Sequence, residues 1–242
     1  MKKRFIYLEQ TDSTNRFLRE MPSQGADMTI VRAGFQTAGR GQGCNTWESD
    51  AGENLLMSIR IHPVGVLPTR QFVLSEVGAL AVAEALDAVV GHIALKWPND
   101  IYWKDFKISG TLIETALSGG ELKECIYGIG INVNQRVFHS DAPNPISLAQ
   151  ILGRNIEVQE VMNRVIDSLE SILAALGDGG LEKIRQAYHE RLYRKEGFHP
   201  YCDEGGTFLA EIKGVEDDGH LLLQDTDGKV RKYAFKEVQF IL

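Results

Sequence analysis

Hydrophobic and polar positions change period several times along this chain, and each change marks an element. Residues 55–62 alternate around Met57, Ile59 and Ile61, which predicts a half-buried strand. Residues 70–91 change to the helical period. Val73, Val77, Leu80, Ala81 and Leu86 share one stripe, and Gly91 supplies a stop. Before these, residues 4–9 and 28–37 read as strands. Between them Thr11-Asp12-Ser13-Thr14-Asn15 is rich in capping side chains, ahead of a short helix over 15–21 that carries Phe17, Leu18 and Met21. Residues 93–97 and 101–103 are short strands around Pro98-Asn99-Asp100. Residues 107–117 and 122–133 are longer strands that turn at Gly119-Gly120. Two helices follow over 157–176 and 181–192, separated by Gly177-Asp178-Gly179-Gly180. After about residue 194 the helical period disappears. Short strands over 208–212, 221–224, 230–235 and 238–241 are punctuated by Asp218-Gly219 and Asp227-Gly228 as hairpin turns. The expectation is an α+β chain: a mixed sheet with flanking helices over 1–193, and a small all-β domain over 194–242.

Composition narrows the function without naming it. The chain has 242 residues, is 43% hydrophobic and carries a net charge of −7, which suits a globular core and disfavours generic binding to nucleic acid or anionic membrane. Its three cysteines, Cys44, Cys125 and Cys202, are too few and too widely spaced for a disulfide framework or a paired-cysteine zinc motif. Residues 77–90 form the most apolar stretch, broken by Glu84 and Asp87. No segment reaches the roughly 18 apolar residues of a membrane span. The basic start Met1-Lys2-Lys3-Arg4 has no apolar run behind it, so a cytoplasmic setting is expected.

Several familiar chemistries are absent. No glycine-rich run ends in Gly-Lys-Ser or Gly-Lys-Thr, so there is no P-loop. His189-Glu190 has Tyr193 where a zinc-binding helix needs its second histidine. Ser109 and Ser118 lack the flanking glycines of a nucleophile elbow, and Cys44 interrupts the dinucleotide fingerprint begun by Gly39-Arg40-Gly41.

Five short constellations remain. In Gln36-Thr37-Ala38-Gly39-Arg40-Gly41-Gln42-Gly43, alternating glycines permit positive φ and an inward nest of N–H groups, and Arg40 adds a planar fork for carboxylate or phosphate. The alternative is a flexible loop with a solvated arginine. Lys96-Trp97-Pro98-Asn99-Asp100 gathers a cation, an aromatic, a rigid turn and two oxygen donors, and its plain alternative is a β-turn capped by Asp100. In Lys107-Ile108-Ser109-Gly110-Thr111-Leu112-Ile113-Glu114, a glycine inside a strand permits close approach of a ligand that Lys107 would face. An ordinary edge lysine is the alternative. Gly128-Ile129-Gly130-Ile131-Asn132-Val133-Asn134 reads as a glycine-spaced strand ending in two asparagines or as a β-bulge with a polar strand end, and Ser13-Thr14-Asn15 reads as a helix N-cap.

Taken in order, these segments resemble the catalytic core of biotin protein ligases. Ser13-Thr14-Asn15, the run Gln36 to Gly41, Trp47, Asn54-Leu55, Lys96-Trp97-Pro98-Asn99-Asp100, Lys107-Ile108-Ser109-Gly110 and Gly130-Ile131-Asn132 carry the resemblance. The Lys-Trp-Pro-Asn-Asp run with its downstream Lys-x-x-Gly is the most specific part. The resemblance implies a fold like that of class II synthetases and biotin/lipoate ligases, with a C-terminal SH3-like barrel. It also implies a reaction: biotin and ATP give biotinyl-5′-AMP, and a lysine of a biotin carboxyl carrier domain then takes the biotin. Lys107 is thereby implied as the catalytic lysine, with Arg40 in the loop over biotin and adenylate. Ser13, Thr14, Asn15, Gln36, Gly39, Gly41, Gly110 and Leu112 are implied around biotin. Arg40, Trp47 and Asn132 are implied at the nucleotide, and Asp100 as a magnesium ligand or an orienter of Lys107.

The chain departs from the family where further arginines often follow Gly-Arg-Gly. Gln42, Gly43, Cys44 and Asn45 stand there instead. Twelve residues precede Ser13, too few for a winged-helix domain, so a ligase that is not itself a DNA-binding repressor is expected, as a monomer or a homodimer. The run Tyr233 to Val238 is expected to reach the nucleotide or the carrier, with Lys236 within it either taking part or standing as a solvated edge lysine. Lipoate ligation is the nearest alternative activity, and a non-catalytic biotin- or nucleotide-binding module is the next.

Overall fold

The computed structural model describes every residue except Gln24, Cys44, Asp141 and Pro143. β1 (Lys3–Thr11), α1 (Thr14–Glu20) and β2 (Met28–Gln36) form a crossover that leaves the two strands parallel. β3 (Leu55–Ile61), β4 (Ile93–Lys96), β5 (Asp100–Trp103), β6 (Phe106–Ser118) and β7 (Glu121–Ile131) complete a seven-stranded sheet in the order β1-β2-β3-β7-β6-β5-β4. Every pair other than β1 with β2 is antiparallel.

β3 departs from the half-buried strand that its alternation predicts, because all seven residues are buried. The strand lies between β2 and β7, with helices on both faces. Its polar positions are satisfied internally. The Arg60 guanidinium donates to the carbonyls of Leu18 at 2.9 Å and Met21 at 2.7 Å, closing the C-terminal end of α1.

α2 (Phe72–Val90) is likewise buried on more than the predicted stripe: Leu74, Glu76, Gly78 and Val82 join Val73, Val77 and Leu80. It lies between the sheet and the outer helices α4 (Val158–Gly177) and α5 (Leu181–Glu190), so two of its faces are covered. Close approach fixes one position: a Cβ on Gly78 would stand 2.7 Å from Cδ1 of Tyr127. Gly91 ends the helix with φ +62, as predicted. A short helix that the periodicity does not predict, α3 (Leu148–Leu152), is set by a capping box. Ser147 Oγ accepts from the Gln150 N–H at 3.2 Å, and Gln150 Oε1 accepts from the Ser147 N–H at 2.9 Å.

A second sheet contains β8 (His199–Asp203), β9 (Gly206–Val215), β10 (Leu221–Asp225), β11 (Val230–Tyr233) and β12 (Gln239–Phe240), in the order β11-β10-β9-β8-β12. It is a five-stranded antiparallel sheet of the kind the SH3-like expectation implied, with no closing strand pair among the described residues. The two sheets are tied together. Residues 191–193 run beside β4, with the Leu95 N–H donating to the Arg191 carbonyl and the Tyr193 N–H to the Leu95 carbonyl, both at 2.8 Å. One hydrophobic cluster includes Leu80 of α2 as well as Tyr201, Leu221 and Leu223 of the second sheet. Among the described residues no helix is long and apolar enough to cross a membrane.

Candidate active site

On the α1 face of the first sheet, glycines replace side chains where strands stand side by side. Asp100, Gly110, Gly130 and Leu56 are in register across β5, β6, β7 and β3. Leu112, Gly128 and Ser58 form the next rung. The glycines leave a shallow trough, and the Trp47 indole lies in it. A Cβ on Gly130 would stand 2.5 Å from Cε2 of Trp47, and one on Gly110 would stand 3.1 Å from Cζ3. Gly128 makes room for Asn15 in the same way, with 2.4 Å to Oδ1. The Gly128–Gly130 segment therefore contains no bulge; its glycines keep a flat site open.

One wall is polar and buried. Ser13 is the N-cap of α1, with extended backbone and its carbonyl accepting from the Phe17 N–H at 2.9 Å, although its side chain makes no capping bond. Thr14 instead donates through its N–H at 2.7 Å and its hydroxyl at 3.0 Å to Oε1 of Gln36. The Ser58 hydroxyl meets Thr14 Oγ1 at 2.6 Å and Asn15 Oδ1 at 2.5 Å. Asn15 Nδ2 donates to Glu114 Oε2 at 2.9 Å. Such a network holds amide and hydroxyl groups in fixed orientations, as recognition of a small polar ring requires.

The charged end is built on the turn between β4 and β5. The Trp97–Pro98 peptide is cis. Asn99 joins the turn to β6: its Nδ2 donates to the Thr111 carbonyl at 2.6 Å, and its carbonyl accepts from the Thr111 N–H at 2.9 Å. Asp100 is left to pair with Lys107, Oδ1 to Nζ at 2.6 Å, rather than to cap the turn. Lys107 Nζ also lies 5.9 Å from the centre of the Trp47 ring. Lys96 donates to the Tyr102 hydroxyl at 3.0 Å, and burial pushes its pKa below the usual lysine value while Asp100 pulls it back up. Burial likewise moves the Tyr102 phenol up to about 12.

The glycine loop differs from the predicted anion nest. Of its glycines only Gly43 has positive φ, +68. Gly41 donates its N–H to the Asn45 carbonyl at 2.8 Å, and Trp47 donates to the Gly39 carbonyl at 3.0 Å, so the segment is a small hairpin with a bridge between Arg40 and Thr46. Gly39 is needed for closeness, since a Cβ there would lie 2.5 Å from the Trp47 carbonyl oxygen. Arg40 reaches Glu114 Oε1 at 3.2 Å. Cys44 lies outside the described residues.

These groups surround a cleft of about 630 Å³. Ser13, Thr14, Asn15, Gln36, Arg40, Gly41, Trp47, Asp100, Lys107, Gly110 and Leu112 all line it. Gly39 stands behind the lining. Asn132 does too: it is buried, and its Nδ2 donates to the Ile146 carbonyl at 3.2 Å. Sequence reasoning did not assign Glu114, although it ended a quoted motif. It also missed Ser58 and the contribution of Gln239 and Phe240 of β12. Of the run Tyr233 to Val238, Phe235, Lys236 and Val238 line the cleft. Among the described residues no group of three or more His, Cys, Asp or Glu side chains could hold a metal ion, and Asp100 is engaged by Lys107. The described residues do not fit a resident metal.

Residues 7–132 match the model of the biotin/lipoate A/B protein ligase family. The chain is 29% identical over 232 residues to the biotin–[acetyl-CoA-carboxylase] ligase of Paracoccus denitrificans, covering 92% of this chain and 95% of that protein. It is 29% identical over 242 residues to the bifunctional ligase/repressor BirA of Bacillus subtilis, covering 97% of this chain and 73% of that protein. Among solved structures, biotin protein ligase from Aquifex aeolicus in complex with biotin and ATP superposes with a TM-score of 0.80 at 27% identity, over 98% of this chain and 99% of that one. A trough open to a flat ring, a fixed polar wall and a lysine at its charged end thus occur in a chain that belongs to the biotin/lipoate A/B protein ligase family.

Proposed function

We propose that the protein is an ATP-dependent biotin–protein ligase of the biotin–[acetyl-CoA-carboxylase] type, and that the cleft binds biotin and ATP side by side. In the first step a biotin carboxylate oxygen attacks the α-phosphorus of ATP, and the bond to the bridging oxygen breaks to release pyrophosphate. In the second, a lysine amine of a biotin carboxyl carrier domain attacks the acyl carbon of biotinyl-5′-AMP, loses a proton, and AMP leaves. Neither step needs a protein nucleophile. Both place negative charge on phosphate oxygens, which fixed cations stabilise.

The observation that carries this reading is the position of Lys107. Its ammonium is held by Asp100 at 2.6 Å, at the end of the trough where a carboxylate and a phosphate would meet. Asp100 is assigned as the orienter of Lys107 and not as a metal ligand. Magnesium enters with ATP, as the counter-ion of the substrate. Ser13, Thr14, Asn15 and Gln36 are assigned to the ureido ring, Gly110 and Leu112 to the apolar part of biotin, and Trp47 to the adenine side. Arg40 is assigned to the phosphate and carboxylate, with Glu114 holding the loop that carries it. Asn132 supports the nucleotide side from behind, through its bond to Ile146. The catalytic core is placed at 1–193 and the C-terminal module at 194–242, and the enzyme is assigned no nucleic-acid or membrane partner.

The test is pyrophosphate exchange into ATP with biotin or lipoate as the acid, followed by transfer to a carrier domain read by intact mass. Exchange with biotin and a single biotin added to the carrier are expected. Exchange with lipoate alone would overturn the assignment. Lys107→Ala is expected to lower the exchange rate by about 10²–10³-fold with the fold retained.

A further inference from the structure

Among the described residues four cationic side chains line the cleft: Arg40, Lys96, Lys107 and Lys236. Lys107 is matched by Asp100 at 2.6 Å and Arg40 by Glu114 at 3.2 Å. Lys96 is half-buried against the rings of Tyr102 and Phe240. Lys236 is exposed at the mouth and makes no ion pair among the described residues.

Its position is built rather than incidental. The turn from Ala234 to Glu237 is closed at both ends: Glu237 Oε2 accepts from the Ala234 N–H at 2.7 Å, and the Glu237 N–H donates to the Ala234 carbonyl at 3.2 Å. Within it Lys236 has φ +73, a left-handed conformation that lysine rarely adopts. The side chain reaches across to the glycine loop. A Cβ on Gly43 would stand 2.7 Å from Lys236 Nζ and 3.1 Å from Cε. Gly43 and Lys236 are therefore one arrangement, since the ammonium occupies the space a side chain at 43 would need. Residues 39–47 carry a single cation, Arg40. Gln42 faces the cleft without charge, its Oε1 buried and unpartnered.

We propose that Lys236 binds the outer phosphates of ATP and the departing pyrophosphate, supplying from the second sheet a charge that the glycine loop lacks. The proposal rests on the adenylation reading above. Biotin brings one negative charge, which meets Lys107. The polyphosphate brings several and must extend outward to leave, where Lys236 is an exposed cation with no ion pair among the described residues.

Exchange kinetics on the full chain separate the outcomes. Lys236→Ala is expected to raise KM for ATP and for pyrophosphate about tenfold, the scale of one charge-assisted hydrogen bond. KM for biotin, and transfer to the carrier from pre-formed biotinyl-5′-AMP, should move by less than about twofold on the same argument. Lys236→Arg should stay near the wild type. Gln42→Arg added to Lys236→Ala should recover ATP affinity, which a merely structural role for Lys236 would not allow. An unchanged KM for ATP would overturn the proposal. So would an equal loss in transfer from pre-formed adenylate, which would place Lys236 at the carrier instead. Absence of biotin-dependent exchange in the wild-type protein would instead refute the adenylation reading.

Discussion

Glu76 shows how a single residue can set a pH dependence far from the chemistry. It is 2% exposed within α2, and its Oε2 has no hydrogen-bond partner. Burial moves its pKa from 4.5 to about 7; Arg185 opposes the shift, while Asp217 and Glu182 add to it. Below 4.5 both folded and unfolded chains hold the proton, and the group is neutral to stability. Between 4.5 and about 7 the unfolded chain ionises first, so stability falls as pH rises. Above that range the full cost of a buried carboxylate applies, on the order of 3 kcal/mol. Glu76→Gln keeps the shape and removes the charge. Urea denaturation should find this variant increasingly more stable than the wild type from pH 5 to pH 8, by about that amount at the upper end. A difference that does not change with pH would show that the carboxyl finds water or a cation.

At the scale of elements, Glu114 joins three of them. From β6 it accepts from Asn15 of α1 at 2.9 Å, and it pairs with Arg19 of α1 at 3.5 Å and with Arg40 of the glycine loop at 3.2 Å. Glu114→Gln should free Arg40 and loosen the loop. Arg40 is 42% exposed, so the ion pair contributes at most about 1 kcal/mol, and dissociation of biotinyl-5′-AMP should quicken by no more than about fivefold. Stopped-flow release of the adenylate measures this. Slower release would mean that Glu114 competes with the ligand for Arg40. None of this coupling is visible in sequence, because Glu114 and Arg40 stand 74 residues apart. The strands and long helices were legible, since their period is local. The trough was only half legible: Gly110, Gly128 and Gly130 could be noted, but their alignment depends on the register of β6 and β7. β3 misled because Ser58 and Arg60 look solvent-facing until α1 supplies their partners. β8 gave no strand signal with Pro200 near its start, and α3 is set by a cap rather than by a stripe.

For the whole molecule, the question is whether the second sheet is a separate body or part of the active site's frame. Its loop between β9 and β10 docks on the core. The Trp97 indole donates to the Gly219 carbonyl at 2.9 Å, and Arg70 pairs with Asp217 at 3.1 Å. Trp97 also meets Phe235 edge-on at 6.5 Å, and a Cβ on Gly219 would stand 2.6 Å from Cδ2 of Phe72. One hydrophobic cluster runs through both sheets, so denaturation should be a single transition by fluorescence and by far-ultraviolet circular dichroism. Trp97→Phe retains much of the apolar contact and leaves the Gly219 carbonyl without its donor, a loss of about 1–3 kcal/mol. Trp97, Phe235 and Lys236 line the same cleft, so that loss should also reach the nucleotide. KM for ATP should rise in Trp97→Phe while KM for biotin, whose polar wall is built from α1, β2 and β3, stays near that of the wild type. Two resolved unfolding transitions, or KM values for ATP and biotin that rise together, would mean that the second sheet does not carry part of the nucleotide site.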